Sequence, residues 1–282
     1  MSRRHLSAAL LALPLLAVTA VPVVAQRHAH RHAAPTNEEW QADCADHGDR
    51  DREHFCEVRA LGARGVTALD VDPGANGGAR IEGWDRDSVA VSARIATWAR
   101  TVDAAAALAR EIEVRLAQGT LTADGPHTSH GEGWSVMLVV QVPRRFAVNV
   151  SATNGPVEVS GVRGTLRLET TNGPVTLDDL GGDVRARLQN GPLHVRLSGA
   201  AWEGTGLDAE TVNGPLTIEV PEGYNAVLET GTRNGPFESE IPITVQGRLG
   251  PGLGRNLRTT LGRGGATIHA TTVNGPLSIA RD

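Results

Sequence analysis

Three groups of residues have types and spacings that could do chemistry. Cys44 and Cys56 are the only cysteines, and His47 and His54 lie beside them. In an oxidising compartment a cysteine pair twelve apart reads as a disulfide. The same four residues also make a Cys2His2 set suited to structural zinc. Compartment favours the disulfide, which would close a short loop around the charged run from Asp49 to Glu53 and contribute roughly 2–3 kcal/mol. The second group is His28, His30 and His32 in the polar stretch 26–42. If a leader were cleaved after Ala25, His28 would be third in the mature chain. A free amine, two amides and an imidazole would then suit square-planar copper or nickel; a plain polar leader is the simpler reading. The third group is acidic. Glycoside or uronate chemistry wants two carboxylates at a set separation. Asp178 and Asp179 are adjacent, so on a strand they would point to opposite faces, and at a corner they would cap or turn. Glu238 and Glu240 flank a strand end and read as solvated.

No GxSxG, HExxH, Walker loop, calcium loop or CxxC occurs. The GPGLG segment inside Gly247 to Gly265 has no helix pattern after it, so it is not a phosphate fingerprint. That stretch, with Arg248, Arg255, Arg258 and Arg263, reads as an exposed loop. Every Lys/Arg position is Arg, which excludes lysine Schiff-base chemistry. The formal charge is −5. Removing residues 1–25 removes two arginines and no acid, leaving 25 basic against 32 acidic residues, −7. This argues against nucleic-acid binding. The expectation is a non-enzymatic protein with no cofactor and no metal.

The elements that hold these residues follow from a repeat. Asn-Gly-Pro occurs six times: Asn154-Gly155-Pro156, Asn172-Gly173-Pro174, Asn190-Gly191-Pro192, Asn213-Gly214-Pro215, Asn234-Gly235-Pro236 and Asn274-Gly275-Pro276. Six before each Asn stands Val148, Leu166, Val184, Leu207, Leu228 or Ile268; four before stands Val150, Leu168, Ala186, Ala209, Thr230 or Ala270. Three after come Val157, Val175, Leu193, Leu216, Phe237 and Leu277; five after come Val159, Leu177, Val195, Ile218, Ser239 and Ile279. The intervening residues are nearly all polar. Such period-two alternation on both sides of a corner predicts two half-buried strands per repeat.

Asn-Gly between alternating runs normally signals a two-residue hairpin. That turn closes on the N–H of the residue after Gly, and Pro has none. A corner between stacked rungs needs no such bond. Asn and Gly would supply a left-handed backbone, Pro would open the next strand, and the Asn side chains could stack as a ladder. Spacings of 18, 18, 23 and 21 residues fit one rung each, and the final 40 reads as two repeats with one corner replaced. The expected fold is all-β, a β-solenoid with Asn-Gly-Pro corners and one short helix in the N-terminal region. The alternative is an antiparallel meander or sandwich. Three before Asn172, Asn190 and Asn213 stand Glu169, Arg187 and Glu210, which would place Arg187 between two carboxylates. His194 and His269 fall on outward positions and read as surface residues without a ligand role.

Arg3, Arg4 and the apolar run Leu6–Ala25 read as a signal peptide, with nothing later long enough to span a membrane. The organisation is 1–25 signal peptide, 26–57 polar leader with a disulfide loop, 58–145 an N-terminal β region, and 146–282 the β-repeat domain. In the β region Val66 to Val71 and Val89 to Ile95 alternate. Gly77-Gly78 through Gly83-Trp84 form a degenerate repeat, and Asp103 to Ala109 is a helix with Thr101 as N-cap. Trp134 to Val142 reads as a strand buried on both faces, and the whole region caps the first coil. Arg281 and Asp282, just after the final strand, read either as charges that discourage edge pairing or as part of an edge where a partner docks, self-association included.

With these residues in view the chain resembles a bacterial family of unknown function with β-strand repeats, described as adhesins. The carrying features are the leader, Gly77-Gly78 through Gly83-Trp84-Asp85, the motifs ETTNGPVTL, AETVNGPLTI and ATTVNGPLSI, and Gly262-Arg263-Gly264-Gly265. It covers residues 60–282. Here Pro follows Gly every time, where the family more often has Ser, Asp or another residue. The resemblance implies an envelope or surface location and a stacked β fold; the signal peptide leaves periplasm, cell surface and exterior open. It transfers no catalytic residue. Three functions follow: a surface or envelope module binding a protein or glycan, an envelope-stress regulatory module, and a carbohydrate-active enzyme on a solenoid.

Overall fold

The computed structural model describes residues 35–46, 52–129, 131–242 and 257–282. The expected signal peptide 1–25, His28, His30, His32, His47, residues 49–51 and the stretch 247–256 with Arg248 and Arg255 lie outside the described residues. Residues 36–282 form one unit.

The elements in chain order begin with α1 (Asn37–Asp46), β1 (Glu53–Arg64), β2 (Ala68–Asp72), β3 (Gly77–Trp84), β4 (Ser88–Ala99), α2 (Val102–Glu111), β5 (Glu113–Ala117), β6 (Thr120–Asp124) and β7 (Gly133–Pro143). The repeats follow as β8 (Ala147–Asn154), β9 (Val157–Ser160), β10 (Arg163–Asn172), β11 (Val175–Asp178), β12 (Gly181–Asn190), β13 (Leu193–Arg196), β14 (Gly206–Asn213), β15 (Leu216–Val220), β16 (Ala226–Asn234) and β17 (Phe237–Ser239). The chain closes with β18 (Leu257–Leu261), β19 (Thr267–Asn274) and β20 (Leu277–Arg281).

Every Asn-Gly-Pro separates a strand in one sheet from a strand in the other. Sheet I runs β18-β16-β19-β14-β12-β10-β8-β2-β6-β5, and sheet II runs β1-β4-β7-β3-β9-β11-β13-β15-β20-β17. Among the described residues no strand pairs back across its Asn-Gly-Pro turn, so the antiparallel meander is not what forms. Strands before the corners pair in parallel with one another, and the six Asn stand in register: Asn154 with Asn172, Asn172 with Asn190, Asn190 with Asn213, Asn213 with Asn274, and Asn274 with Asn234. The corner bonds run between rungs. Gly155 N donates to Asn172 O at 3.0 Å and Val157 N to Pro174 O at 2.9 Å, and the pattern recurs at Gly173, Gly191, Gly214 and Gly275. Pro is tolerated because these bonds never call on its N–H.

The side chains six, four and two before each Asn face the side chains three and five after it, in one continuous core. Each buried Val, Leu or Ile there is worth about 1.5–3 kcal/mol. The column two before Asn is Ala152, Thr170, Leu188, Thr211, Thr232 and Thr272, all buried. Period-two counting did not single it out, since four of the six are threonines. At the fifth rung, β16 with β17, Phe237 is half-buried and Ser239 exposed, because β17 is an edge strand.

The N-terminal region lengthens the same two sheets. β2 and β3 form a rung whose corner contains Asn76-Gly77, pairing in parallel with β8 and β9. α2 is capped by Thr101, whose side chain accepts from Ala104 N. At its other end Arg59 donates to Ala109 O at 2.7 Å and to Ile112 O.

Several expectations are corrected. Among the described residues there are two helices, because Thr36 and Glu39 make a reciprocal capping box (Thr36 N to Glu39 Oε2 2.8 Å; Glu39 N to Thr36 Oγ1 3.1 Å) that starts α1 inside the stretch expected to be a polar leader. At the corners the Asn residues are not left-handed, since Gln118 and Asp179 alone have positive φ among the described non-glycine residues, whereas Gly155, Gly173 and Gly191 do have positive φ, at 154°, 135° and 146°. Gly214 and Gly275 have no such angle and are required by stacking: a Cβ on Gly214 would sit 1.9 Å from Gly191 O, and one on Gly275 2.1 Å from Gly214 O. β7 is fully buried on one face only, with Met137, Val139 and Gln141 half-buried on the other. Within the expected loop 247–265, Leu257–Leu261 is a strand antiparallel to β16. Finally, the 40-residue interval is not two stacked repeats. The last rung, β19 with β20, lies between the fourth and fifth, so the C-terminal strand is internal and the open edge of sheet II is β17.

Candidate binding face

Sheet I presents three outward columns, five, three and one residues before each Asn. In the second, Ser151, Glu169, Arg187 and Glu210 stand in register on β8, β10, β12 and β14. Beside them toward the corners lie Thr153, Thr171, Gln189 and Val212. Together with Asp72 these side chains line a groove of about 420 Å³ that crosses four rungs. At roughly 4.8 Å per rung the crossing spans about 14 Å. Val212 is 42% exposed, one of two large hydrophobic residues left that open among the described residues.

Arg187 does not share itself between Glu169 and Glu210 as its column suggests. It donates to Asp208 Oδ2 at 2.6 Å, diagonally across the rung, and its Nε lies 3.4 Å from Glu210. The bond to Asp208 holds the guanidinium above its ordinary range. Glu169 is left without an ion-pair partner among the described residues, facing the groove. The arrangement expected there is instead complete on sheet II. Arg196 stands in register between Asp178 and Glu219, 3.5 Å from the first and 2.5 Å from the second. His194 Nε2 lies 2.8 Å from the other oxygen of Glu219. Burial pushes the Glu219 carboxyl up, but the bonds and charges of Arg196 and His194 outweigh it and hold that carboxyl low.

Of the candidate carboxylates, none lines the groove. Asp178 is tied to Arg196. Asp179 occupies a turn at φ 50°, where Arg163 donates to its carbonyl and its carboxylate, both at 2.6 Å, and Ser198 donates as well. Glu238 lies on β17, and Glu240 accepts from Arg281 N at 3.1 Å. Asp178 lies 18 residues before Arg196 and Asp179 lies 19 before Ser198; stacking makes them neighbours.

Cys44 and Cys56 form the disulfide, with Cα atoms 6.3 Å apart, which removes both from any zinc set. It ties α1 to β1. Asn37 also donates to Ser92 Oγ at 3.1 Å, and Arg94 donates to Asn37 Oδ1 at 2.9 Å while lying over the Trp40 ring.

A set that the sequence did not reveal is Asp208, Glu210 and His269, whose ligand atoms lie within 4.8 Å of one another. His269 also approaches Glu229 at 3.6 Å. These residues meet only because the last rung stacks beside the fourth. Arg187 already holds both carboxylates, so a guanidinium fills the cation's place. Neither His194 nor His269 is the isolated surface histidine that its outward position suggested.

The six Asn side chains form an unbroken ladder. Asn172, Asn190, Asn213, Asn274 and Asn234 each donate to the preceding rung at 2.8–2.9 Å, and Asn154 donates to Ala75 O at 2.8 Å. Their corners are structural and lie at one border of the groove.

The class so defined is an all-β protein of two large open sheets. Among the described residues no helix is long and apolar enough to cross a membrane. No family model and no curated protein matches the chain. Solved structures do. One, from Clostridium sporogenes and titled a "putative cell adhesion protein", is 8% identical with a TM-score of 0.42, over 82% of this chain and 100% of that one. A "putative adhesin" from Bacteroides fragilis is 10% identical with a TM-score of 0.29, over 81% and 97%. A "putative lipid binding protein" from Parabacteroides distasonis is 12% identical with a TM-score of 0.30, over 80% and 96%.

Proposed function

We propose that the chain is an exported, non-catalytic β-solenoid whose sheet I groove binds an extended, hydroxyl-rich polymer, a glycan strand of the cell surface or envelope. The solenoid reading rests on the parallel, in-register stacking of the six corners. Export is supported by the leader and by the Cys44–Cys56 disulfide, which persists in oxidising compartments. The observation that carries the binding role is the groove itself. It offers a carboxylate without a partner (Glu169), a guanidinium clamped in place (Arg187), an amide (Gln189) and hydroxyls (Ser151, Thr153, Thr171) at rung spacing. Such groups recognise repeating hydroxyls, and Arg187 is already ordered before a ligand arrives, which lowers the entropic cost of binding. A catalytic role finds less support, because one of the two groove glutamates, Glu210, is engaged by Arg187.

The test is calorimetry of the mature protein against a panel of surface polysaccharide fragments, together with a triple Ala variant at Glu169, Thr171 and Gln189. Binding should be weakened at least about tenfold in the variant, a loss of about 1.4 kcal/mol, and unchanged by Ala at Glu158 on sheet II. Equal binding by the groove variant, or no binding across the panel, overturns the reading.

A further inference from the structure

The order of rungs in space departs from their order in sequence, and the departure has a consequence for assembly. β14 and β16 are consecutive sheet I repeat strands in the chain, yet they do not pair. β19 lies between them, with Leu207 and Leu228 both in register with Ile268. β20 likewise fills the place between β15 and β17, with Leu216 and Phe237 both in register with Leu277. Each side is bonded. Gly214 N donates to Asn274 O at 3.0 Å and Gly275 N to Asn234 O at 3.2 Å. Leu216 N donates to Pro276 O and Leu277 N to Pro236 O, both at 2.9 Å. The C-terminal rung therefore satisfies two facing strand edges in each sheet, and without it both sheets would be interrupted at the same level.

The same C-terminal stretch also supplies β18 on the far side of β16. Residues 257–282 thus hold β16 from both sides and β17 from one. The described disulfide lies at the other end of the chain. The covalent tie is the connection from Ser239 to Leu257, which could extend over roughly 55 Å.

We propose that this C-terminal segment exchanges between copies of the chain, so that the rung completing one molecule is donated by another. The partner is a second copy, because the slot is specific for what this chain carries. It needs small or apolar side chains at the positions of Ile268, Ala270, Thr272, Leu277 and Ile279, and it needs an Asn to continue the ladder between Asn213 and Asn234. Every bond made within one molecule is available between two. Reciprocal exchange closes a dimer, and one-way exchange propagates into a row of molecules. Within one chain the segment is tethered to its own slot, so exchange is favoured by crowding of chains during folding, as at a surface.

The experiment uses the full mature chain with its disulfide intact, refolded from denaturant at low and high concentration and weighed by light scattering. Monomer is expected at low concentration, with a dimer-to-monomer ratio that rises in proportion to chain concentration and persists on later dilution. A second readout traps the exchange. Thr217 and Ser278 are register partners across the inserted strand, near enough for a disulfide. Thr217→Cys and Ser278→Cys chains refolded together should give a reducible heterodimer, whereas Thr176→Cys with Ser278→Cys, two further rungs apart, should not. Monomer at every refolding concentration overturns the proposal. So does a Thr217–Ser278 heterodimer no more abundant than the Thr176–Ser278 control.

Discussion

Asn274 donates its side-chain amide to Asn213, sixty-one positions earlier, at 2.9 Å, and accepts from Asn234, forty positions earlier, at 2.8 Å. It is thus the link that makes one ladder of corners whose order in the chain is broken. Asn274→Ala removes two ladder bonds, and Asn234→Ala removes one. With about 1 kcal/mol for each such bond, urea denaturation should show Asn274→Ala costing about twice as much as Asn234→Ala. Equal costs would show that the ladder bonds contribute nothing at these corners.

The corner glycines separate two reasons for needing Gly. Gly214 has no backbone angle that a side chain would resist, but its added Cβ would meet Gly191 O at 1.9 Å. Gly223 has a φ of +73° and open space around it. Gly223→Ala should cost about 1–2 kcal/mol from backbone strain. Gly214→Ala should cost more, at least about 3 kcal/mol, because rungs must move apart. Chemical denaturation of the two variants checks the ranking.

At three corners a threonine two before Asn bonds the Gly carbonyl of the neighbouring rung. Thr211 Oγ1 donates to Gly191 O at 3.1 Å, Thr272 to Gly214 O at 2.8 Å and Thr232 to Gly275 O at 2.7 Å. Thr170 is the same residue in the same column, yet its hydroxyl is buried with no partner. Thr211→Val should therefore destabilise by about 1–2 kcal/mol, and Thr170→Val should be neutral or stabilising. Thermal melts of both variants decide it.

Acid should release the sheet II network. The Glu219 and Asp179 carboxyls titrate below their ordinary values of 4.5 and 3.8, burial being outweighed by Arg196 and His194 for the first and by Arg163 and Ser198 for the second. A depressed folded-state value means that the contribution is complete above the unfolded value and disappears as pH falls through the folded one. Stability measured against pH should decline below about pH 4.5, and Glu219→Gln should flatten part of that decline. On the alkaline side burial pushes Tyr224 up to about 12. Its contribution is complete below pH 10 and is lost as pH rises toward 12, a limb that Tyr224→Phe should remove.

Reducing Cys44–Cys56 should free α1 from β1 at a cost of roughly 2–3 kcal/mol. Hydrogen exchange should show lost protection over residues 37–46 while the rungs stay protected. Loss of protection throughout would mean that the helix supports the core as well.

Much of this was legible in six copies of three residues. Strand polarity, the buried columns at Val175 and Leu177, and the exclusion of a hairpin follow from local chemistry: alternation marks faces, and Pro lacks a donor. The capping box at Thr36 and Glu39 was equally local, and the polar composition around it hid the helix. The groove was half legible. Its column of Ser151, Glu169, Arg187 and Glu210 could be read from the spacing, but the choice of Arg187 for Asp208 over Glu169 could not, because side-chain direction across rungs is a property of packing.

The sequence by itself determined the rung: its two strands, its Asn-Gly-Pro corner and the apolar residues it buries, since each depends on neighbours a few positions away. Only the tertiary structure decided where each rung goes. All six carry nearly the same pattern and would satisfy the same edges, so local preference cannot rank their positions. The insertion of the last rung between the fourth and fifth, which brings His269 beside Asp208 and Glu210, was settled by long-range pairing and packing.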